Sequence, residues 1–202
     1  TKLSSGLSRE PLEVAPVATL GRRIDVEQAE TVLPPPPDWS TADLLHAANR
    51  RKGRDLFEAT YVALQAGPVD CAHGVSLQAQ AALGETDLDA VLVPGFWAES
   101  AEQVNALVAA QALLVKALSK GPRDRQLWAY CTGVCLLAAC GRLDGQCATV
   151  TWWLAQAMQA RYRKVRWQSE RNCVFNERNA TASGVNGYLP LAENLIEKSL
   201  SR

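Results

Sequence analysis

Hydrophobic positions along this chain switch repeatedly between short β-branched runs and stripes spaced three and four residues apart. Ile24 to Val32 alternates imperfectly and reads as a first strand. It runs into Leu33-Pro34-Pro35-Pro36-Pro37-Asp38-Trp39, where four prolines force a stiff, extended loop. Ser40-Thr41-Ala42-Asp43 has capping-box spacing and opens a helix whose buried stripe is Leu44, Leu45, Ala47 and Ala48, stopped by Gly53. Leu56 to Leu64 alternates as a strand, and Gly67-Pro68 turns it toward a second extended piece around Val69 to Leu77. Asp87 to Val93, closed by Pro94-Gly95, is the short apolar run of a strand buried on both faces, which implies a parallel sheet. Ser100, with Gln103 three residues on, caps one long helix carrying Val104, Leu107, Val108, Leu114, Val115 and Leu118 as far as Gly121-Pro122.

Gln126 to Tyr130 is the next strand, and a helical pattern begins at Thr132 and continues to Gly141. Leu143-Asp144-Gly145 is a turn, Ala148-Thr149 starts a short element, and Val150 to Tyr162 forms a helix. Val165-Arg166-Trp167 and Cys173-Val174-Phe175 read as strands, and Ser183-Gly184 opens a final amphipathic helix. Pro190 is awkward in that helix, because a proline past the first turn removes a backbone donor and kinks the chain. Strands alternating with helices at this spacing predict a three-layer α/β fold with a mainly parallel sheet. Ligands of such sheets bind at the carboxyl ends of the strands, where Pro94-Gly95 and Cys131 are both expected.

Cys131 is the residue on which the chemistry hangs. A thiol between a strand and the following helix is expected on a tight turn, a nucleophile elbow with sulfur in place of the serine hydroxyl. The helix dipole and free backbone N–H groups favour the thiolate, whereas a closed apolar pocket raises the thiol pKa.

Composition narrows the reading. With 202 residues, 48% of them hydrophobic, the chain can bury one substantial core and is short for two domains. Residues 1–22 are expected to be an irregular segment ahead of a single domain over 23–200. Lys plus Arg equal Asp plus Glu at 21 each, so no global field draws the chain to nucleic acid or anionic lipid. The first twenty residues lack a continuous apolar stretch, and the expected location is the cytoplasm. Six cysteines, four of them between 131 and 147, read as reduced thiols rather than three disulfides. Cys131 and Cys135 lie one helical turn apart without a partnering histidine, which speaks against a zinc site, and no metal or other cofactor is expected. Asn179-Ala180-Thr181 fits a glycosylation sequon and reads as an accident of composition. The basic stretches Arg50–Arg54 and Arg161–Trp167 sit at helix ends, where positive side chains complement the dipole.

Tyr130-Cys131-Thr132-Gly133, Leu136-Leu137-Ala138, Gly141-Arg142-Leu143-Asp144-Gly145 and Ala148-Thr149 together resemble the signature of the ThiJ/PfpI superfamily, which shares the class I glutamine-amidotransferase-like fold. Ala48-Asn49-Arg50, Val93-Pro94-Gly95 and Thr181-Ala182-Ser183-Gly184-Val185 fit the same group, and more narrowly the amino-terminal domain of AraC-type transcription regulators. The similarity covers roughly residues 43 to 200. It implies a flavodoxin-like sandwich, commonly dimeric, that senses a small-molecule ligand or assembles while a helix-turn-helix domain, expected downstream of residue 202, binds DNA.

The departures from that family matter as much. Protease-like and amidotransferase-like members place a histidine beside or near the cysteine, whereas Thr132 stands here and the usual His-Trp is Thr151-Trp152. His46 and His73 are the only histidines and match neither position. The usual Gly-Gly after the valine strand is Gly95-Phe96, so the second backbone donor carries a bulky side chain. Hydratases of the superfamily that act on isocyanides also use Cys-Thr-Gly with an acidic residue on the loop after the first strand, a place held here by Asp38, with Asp43 as runner-up. The expectation is therefore a non-catalytic sensing and dimerisation domain binding a metabolite over Gly95, Phe96, Trp97, Cys131, Thr132 and Gly133. The rival is a hydratase or hydrolase with Cys131 as nucleophile and Asp38 as its acid-base partner.

Overall fold

The structure, a computed structural model, describes residues 17–21, 40–70 and 76–200. Ile24–Val32, the four prolines, Asp38, Trp39, Cys71 and His73 lie outside the described residues. In chain order the elements are β1 (Val17–Gly21), α1 (Ser40–Lys52), β2 (Glu58–Ala63), β3 (Gly67–Asp70), β4 (Ser76–Ala79), β5 (Ala81–Ala82) and β6 (Ala90–Val93). They continue with α2 (Ala101–Ala110), α3 (Ala112–Lys120), β7 (Gln126–Tyr130), α4 (Gly133–Ala139), β8 (Cys147–Ala148) and α5 (Ala155–Arg161). The last are β9 (Arg166–Trp167), β10 (Cys173–Phe175), β11 (Asn179–Ala182) and α6 (Tyr188–Leu200).

Seven strands form one sheet in the order β10-β11-β7-β6-β1-β2-β5. The central β11, β7 and β6 are parallel neighbours, and β2 pairs parallel with β5. β1 and β10 run against their neighbours, so five of the seven strands point one way. Val17–Gly21, within the segment expected to be irregular, thus supplies a strand inside the sheet.

Alternation along β6 and β7 builds the three layers, because successive side chains leave a strand on opposite faces. Ala90, Leu92, Trp128 and Tyr130 pack on one side with Leu45 and Ala48 of α1 and Leu191 of α6. Val91, Val93, Leu127 and Ala129 pack on the other with α2, α3 and α4, where Val104, Leu107, Leu118, Val134 and Leu137 are buried. β6 is buried along its whole length, as its unbroken apolar run predicted.

Several sequence expectations are corrected in detail. The α1 stripe is Thr41, Leu45, Ala48 and Asn49; Leu44 is half-buried and Ala47 is exposed. Asn49 is buried because its amide works as a clamp: Oδ1 accepts from the N–H groups of Leu56 and Phe57 at 2.9 and 3.0 Å, and Nδ2 donates to the Phe57 carbonyl at 2.7 Å. The long helix after Ser100 is broken at Gln111 (ψ 31°) into α2 and α3, although every residue from Ala109 to Ala112 is a good helix former. Of the piece expected from Val69 to Leu77, Val69 and Asp70 belong to β3 and Ser76 and Leu77 to β4, and the two strands pair antiparallel. The stretch from Val150 splits into a 3-10 turn at Trp152–Leu154 followed by α5. β11 was not anticipated, since Asn179-Ala180-Thr181-Ala182 has only Thr181 among the usual strand formers; it is buried along its whole length between β10 and β7. That burial also closes the sequon, with Asn179 at 3% exposure and Thr181 at 0%. Finally, α6 begins at Tyr188 rather than near Ser183, so Pro190 falls in the first turn, where a missing N–H costs no helical bond.

Candidate functional site

The carboxyl ends of β6 and β7 lie side by side, Val93 opposite Ala129, so the chain that leaves each strand meets the other. Cys131 occupies the turn between β7 and α4 with φ of 53°, the one positive φ outside glycine among the described residues. Holding a non-glycine residue there costs on the order of 1–3 kcal/mol, and it persists because the flanking segments fix it. The Cys131 N–H donates to the Ala182 carbonyl at 3.0 Å, tying the turn to β11.

Two glycines allow the loops to close. A Cβ on Gly95 would sit 2.9 Å from Cys131 Cβ and 3.4 Å from its Sγ, so the loop after β6 rests directly on the cysteine. A Cβ on Gly133 would fall 2.6 Å from the Val93 carbonyl oxygen and closer still to that of Pro94. Only glycine lets α4 start that near the end of β6.

The Thr132 hydroxyl completes the junction. It accepts from the Phe96 N–H at 2.6 Å and donates to the Phe96 carbonyl at 2.6 Å, and the side chain is 2% exposed. The backbone donor that a hydrolytic reading requires from residue 96 is therefore already engaged. Phe96 itself turns into the core, while Trp97 next to it is 74% exposed.

Burial pushes the Cys131 thiol up, with the Thr132 backbone N–H and hydroxyl pulling weakly the other way. Desolvation is the largest of these influences, and it works against the charged thiolate. Cys135, one turn along α4, is buried in the core and pushed up to about 12. Five cysteines among the described residues are free thiols. Among those residues no group of three or more histidine, cysteine or acidic side chains is placed to hold a metal ion.

Of the predicted site residues, Gly95, Phe96, Cys131, Thr132 and Gly133 come together, and Trp97 stands at their edge. Asp38 lies outside the described residues, Asp43 is exposed in the first turn of α1, and His46 is exposed on the same helix. Two further threonines hold the neighbourhood rigid without having been singled out individually. Thr181 Oγ1 accepts from the Thr149 N–H at 2.9 Å, and the Thr149 hydroxyl donates to the Arg171 carbonyl at 2.6 Å. Both threonines stand in the motifs that carried the resemblance, but nothing local marks the Thr181 hydroxyl and the Thr149 N–H, 32 residues apart, as partners.

Comparison with known proteins agrees with this geometry. No curated protein matches the chain in sequence. An AraC family transcriptional regulator from Pseudomonas putida superposes with a TM-score of 0.57 at 19% identity, covering 78% of this chain and 82% of that one. A ThiJ/PfpI family protein from Pseudomonas syringae gives 0.61 at 21% identity over 80% of this chain and 62% of that one. DJ-1beta of Drosophila melanogaster gives 0.55 at 17% identity, with 82% and 86% covered. At such identities the likeness is one of fold. The sequence itself matches the DJ-1/PfpI family over residues 38–198, four-fifths of its length and all of the loops just described, and the chain belongs to that family.

Proposed function

We propose that this domain is the ligand-sensing and dimerisation part of an AraC-type transcription regulator, that it is not catalytic, and that it binds a small nitrogen-containing metabolite over Cys131. The observation that carries the non-catalytic part is the pair of 2.6 Å hydrogen bonds between Thr132 and Phe96, which occupy the second oxyanion donor. The upward push of burial on the Cys131 thiol and the absence of a histidine after His73 point the same way. Trp97, exposed two residues beyond the glycine that touches Cys131, is suited to the face of an ammonium group. Ligand binding energy that differs between two arrangements of the domain would be transmitted to a DNA-binding portion as a population shift. Superposition on a regulator from Pseudomonas putida supports the fold this reading requires.

The test is a thermal-shift screen of amino acids, small amines and betaines. A true ligand at a hundred times its Kd adds about 2.7 kcal/mol, which for a chain of this size moves Tm by roughly 5–10 °C. Trp97→Ala should abolish the shift. A screen in which no compound moves Tm overturns the sensing role. Alkylation separates the rival enzyme: with its pKa raised, Cys131 should react slowly with iodoacetamide at pH 7 and accelerate about tenfold per pH unit toward pH 9. A fast rate that is already flat at pH 6 to 7 would identify a thiolate and favour hydratase chemistry.

A further inference from the structure

The face of the sheet that carries α2–α5 has a groove of about 490 Å³ that contains none of the residues around Cys131. Its apolar floor is made by Val108, Val115, Ala139 and Cys140. The break at Gln111 opens it, since Val108 and Ala109 come from the end of α2 and Ala112 from the start of α3. The volume is that of a pocket for a small organic molecule.

The charge around this floor has one sign. Lys116, Lys120 and Arg161 line the groove, all exposed, and no carboxylate lines it. On a chain with 21 basic and 21 acidic residues, three cations lining one groove are a local excess. Lys116 and Lys120 are one turn apart on α3, a spacing at which like charges repel and destabilise the helix slightly. Complementing the dipole at helix ends accounts for Lys120 and Arg161, in the last turns of α3 and α5, but not for Lys116 in the middle of α3. Arg161 is also pre-oriented. Its Nε donates to the Tyr162 hydroxyl at 3.2 Å, and the guanidinium lies 5.6 Å from the centre of that ring, which itself lines the groove.

We propose that this groove is a second ligand site, separate from Cys131, for a free organic carboxylate carried on an aliphatic or aromatic body: the body lies on the Val108–Val115 floor and the carboxylate is held by Lys116, Lys120 and Arg161. An apolar tail alone would leave the three cations unanswered. A bare inorganic anion would leave the floor wet.

The experiment is calorimetric titration of the whole chain with octanoate, with octan-1-ol and octylamine as neutral and cationic counterparts of the same body. Octanoate should bind with one-to-one stoichiometry, and both counterparts at least tenfold more weakly. Lys116→Gln/Lys120→Gln, whose side chains are exposed, should keep the Tm of the free protein and weaken octanoate at least tenfold. Ala112→Phe should fill the groove and abolish binding. Cys131→Ser should bind octanoate as the unaltered chain does; loss of binding there would mean that the anion enters the other site and would overturn the groove, while leaving the sensing proposal standing. Equal binding of the alcohol and the carboxylate, unchanged affinity in the lysine variant, or uptake of the protein only on vesicles of anionic phospholipid would each overturn it as well.

Discussion

Replacing Thr132 with valine removes one hydroxyl and leaves both the N–H and the carbonyl of buried Phe96 without a partner. Each orphaned group costs about 1–3 kcal/mol, so Thr132→Val should lower the unfolding free energy by about 2 kcal/mol or more, read from urea midpoints. Thr132→Ser retains both bonds and should cost less than about 1 kcal/mol, mostly for the lost methyl. Equal losses in the two variants would mean that packing, not hydrogen bonding, sets the role of this side chain. The sequence marked Thr132 as a departure from histidine-bearing relatives, yet its partner, 36 residues earlier in the chain, is a product of the fold. Cys131 behaves likewise: the strand-to-helix junction was legible from the end of an apolar run, but the direction of its pKa shift was not, because desolvation depends on what the rest of the molecule places over the sulfur.

At the scale of elements, legibility followed the strength of the local signal. Gln126–Tyr130 and Cys173–Phe175 form strands with the predicted bounds, and α1 begins at its predicted capping residue, Ser40. The break at Gln111 and the strand Asn179–Ala182 escaped, since one has no breaking residue and the other no strand-forming residue beyond Thr181; their conformations are imposed by neighbours. Pro190 shows how one element boundary changes a conclusion. As the third residue of α6 it forfeits no intrahelical bond, so Pro190→Ala should change stability by less than about 1 kcal/mol, against the roughly 3 kcal/mol gain expected were it an interior kink. Thermal unfolding of that single variant decides between the two positions.

For the whole molecule, stability should be graded across the sheet. β6 and β7 are buried on both faces and bonded on both edges, whereas β5 is a two-residue edge strand and β3 pairs only with β4 in a separate two-stranded sheet. Amide hydrogen exchange should therefore be slowest at residues 91–93 and 127–130 and at least a hundredfold faster at Gly67, Val69, Ala81 and Ala82, as expected when edges open locally and the centre opens only on global unfolding. Uniform rates would contradict a core centred on β6 and β7. The same asymmetry places the two candidate sites apart: one at the carboxyl ends of the central strands, the other on the helical layer beside α3 and α5.

The sequence alone determined the alternation of strands and helices, the family, and the junction that carries Cys131, because periodicity, caps and short motifs are encoded within a few turns of chain. Only the tertiary structure decided that Thr132 takes the Phe96 N–H, that burial pushes the Cys131 thiol up, and that Lys116, Lys120 and Arg161 line one groove. Those outcomes depend on which distant segments meet and how much water they exclude, and neither quantity is written at any single position of the chain.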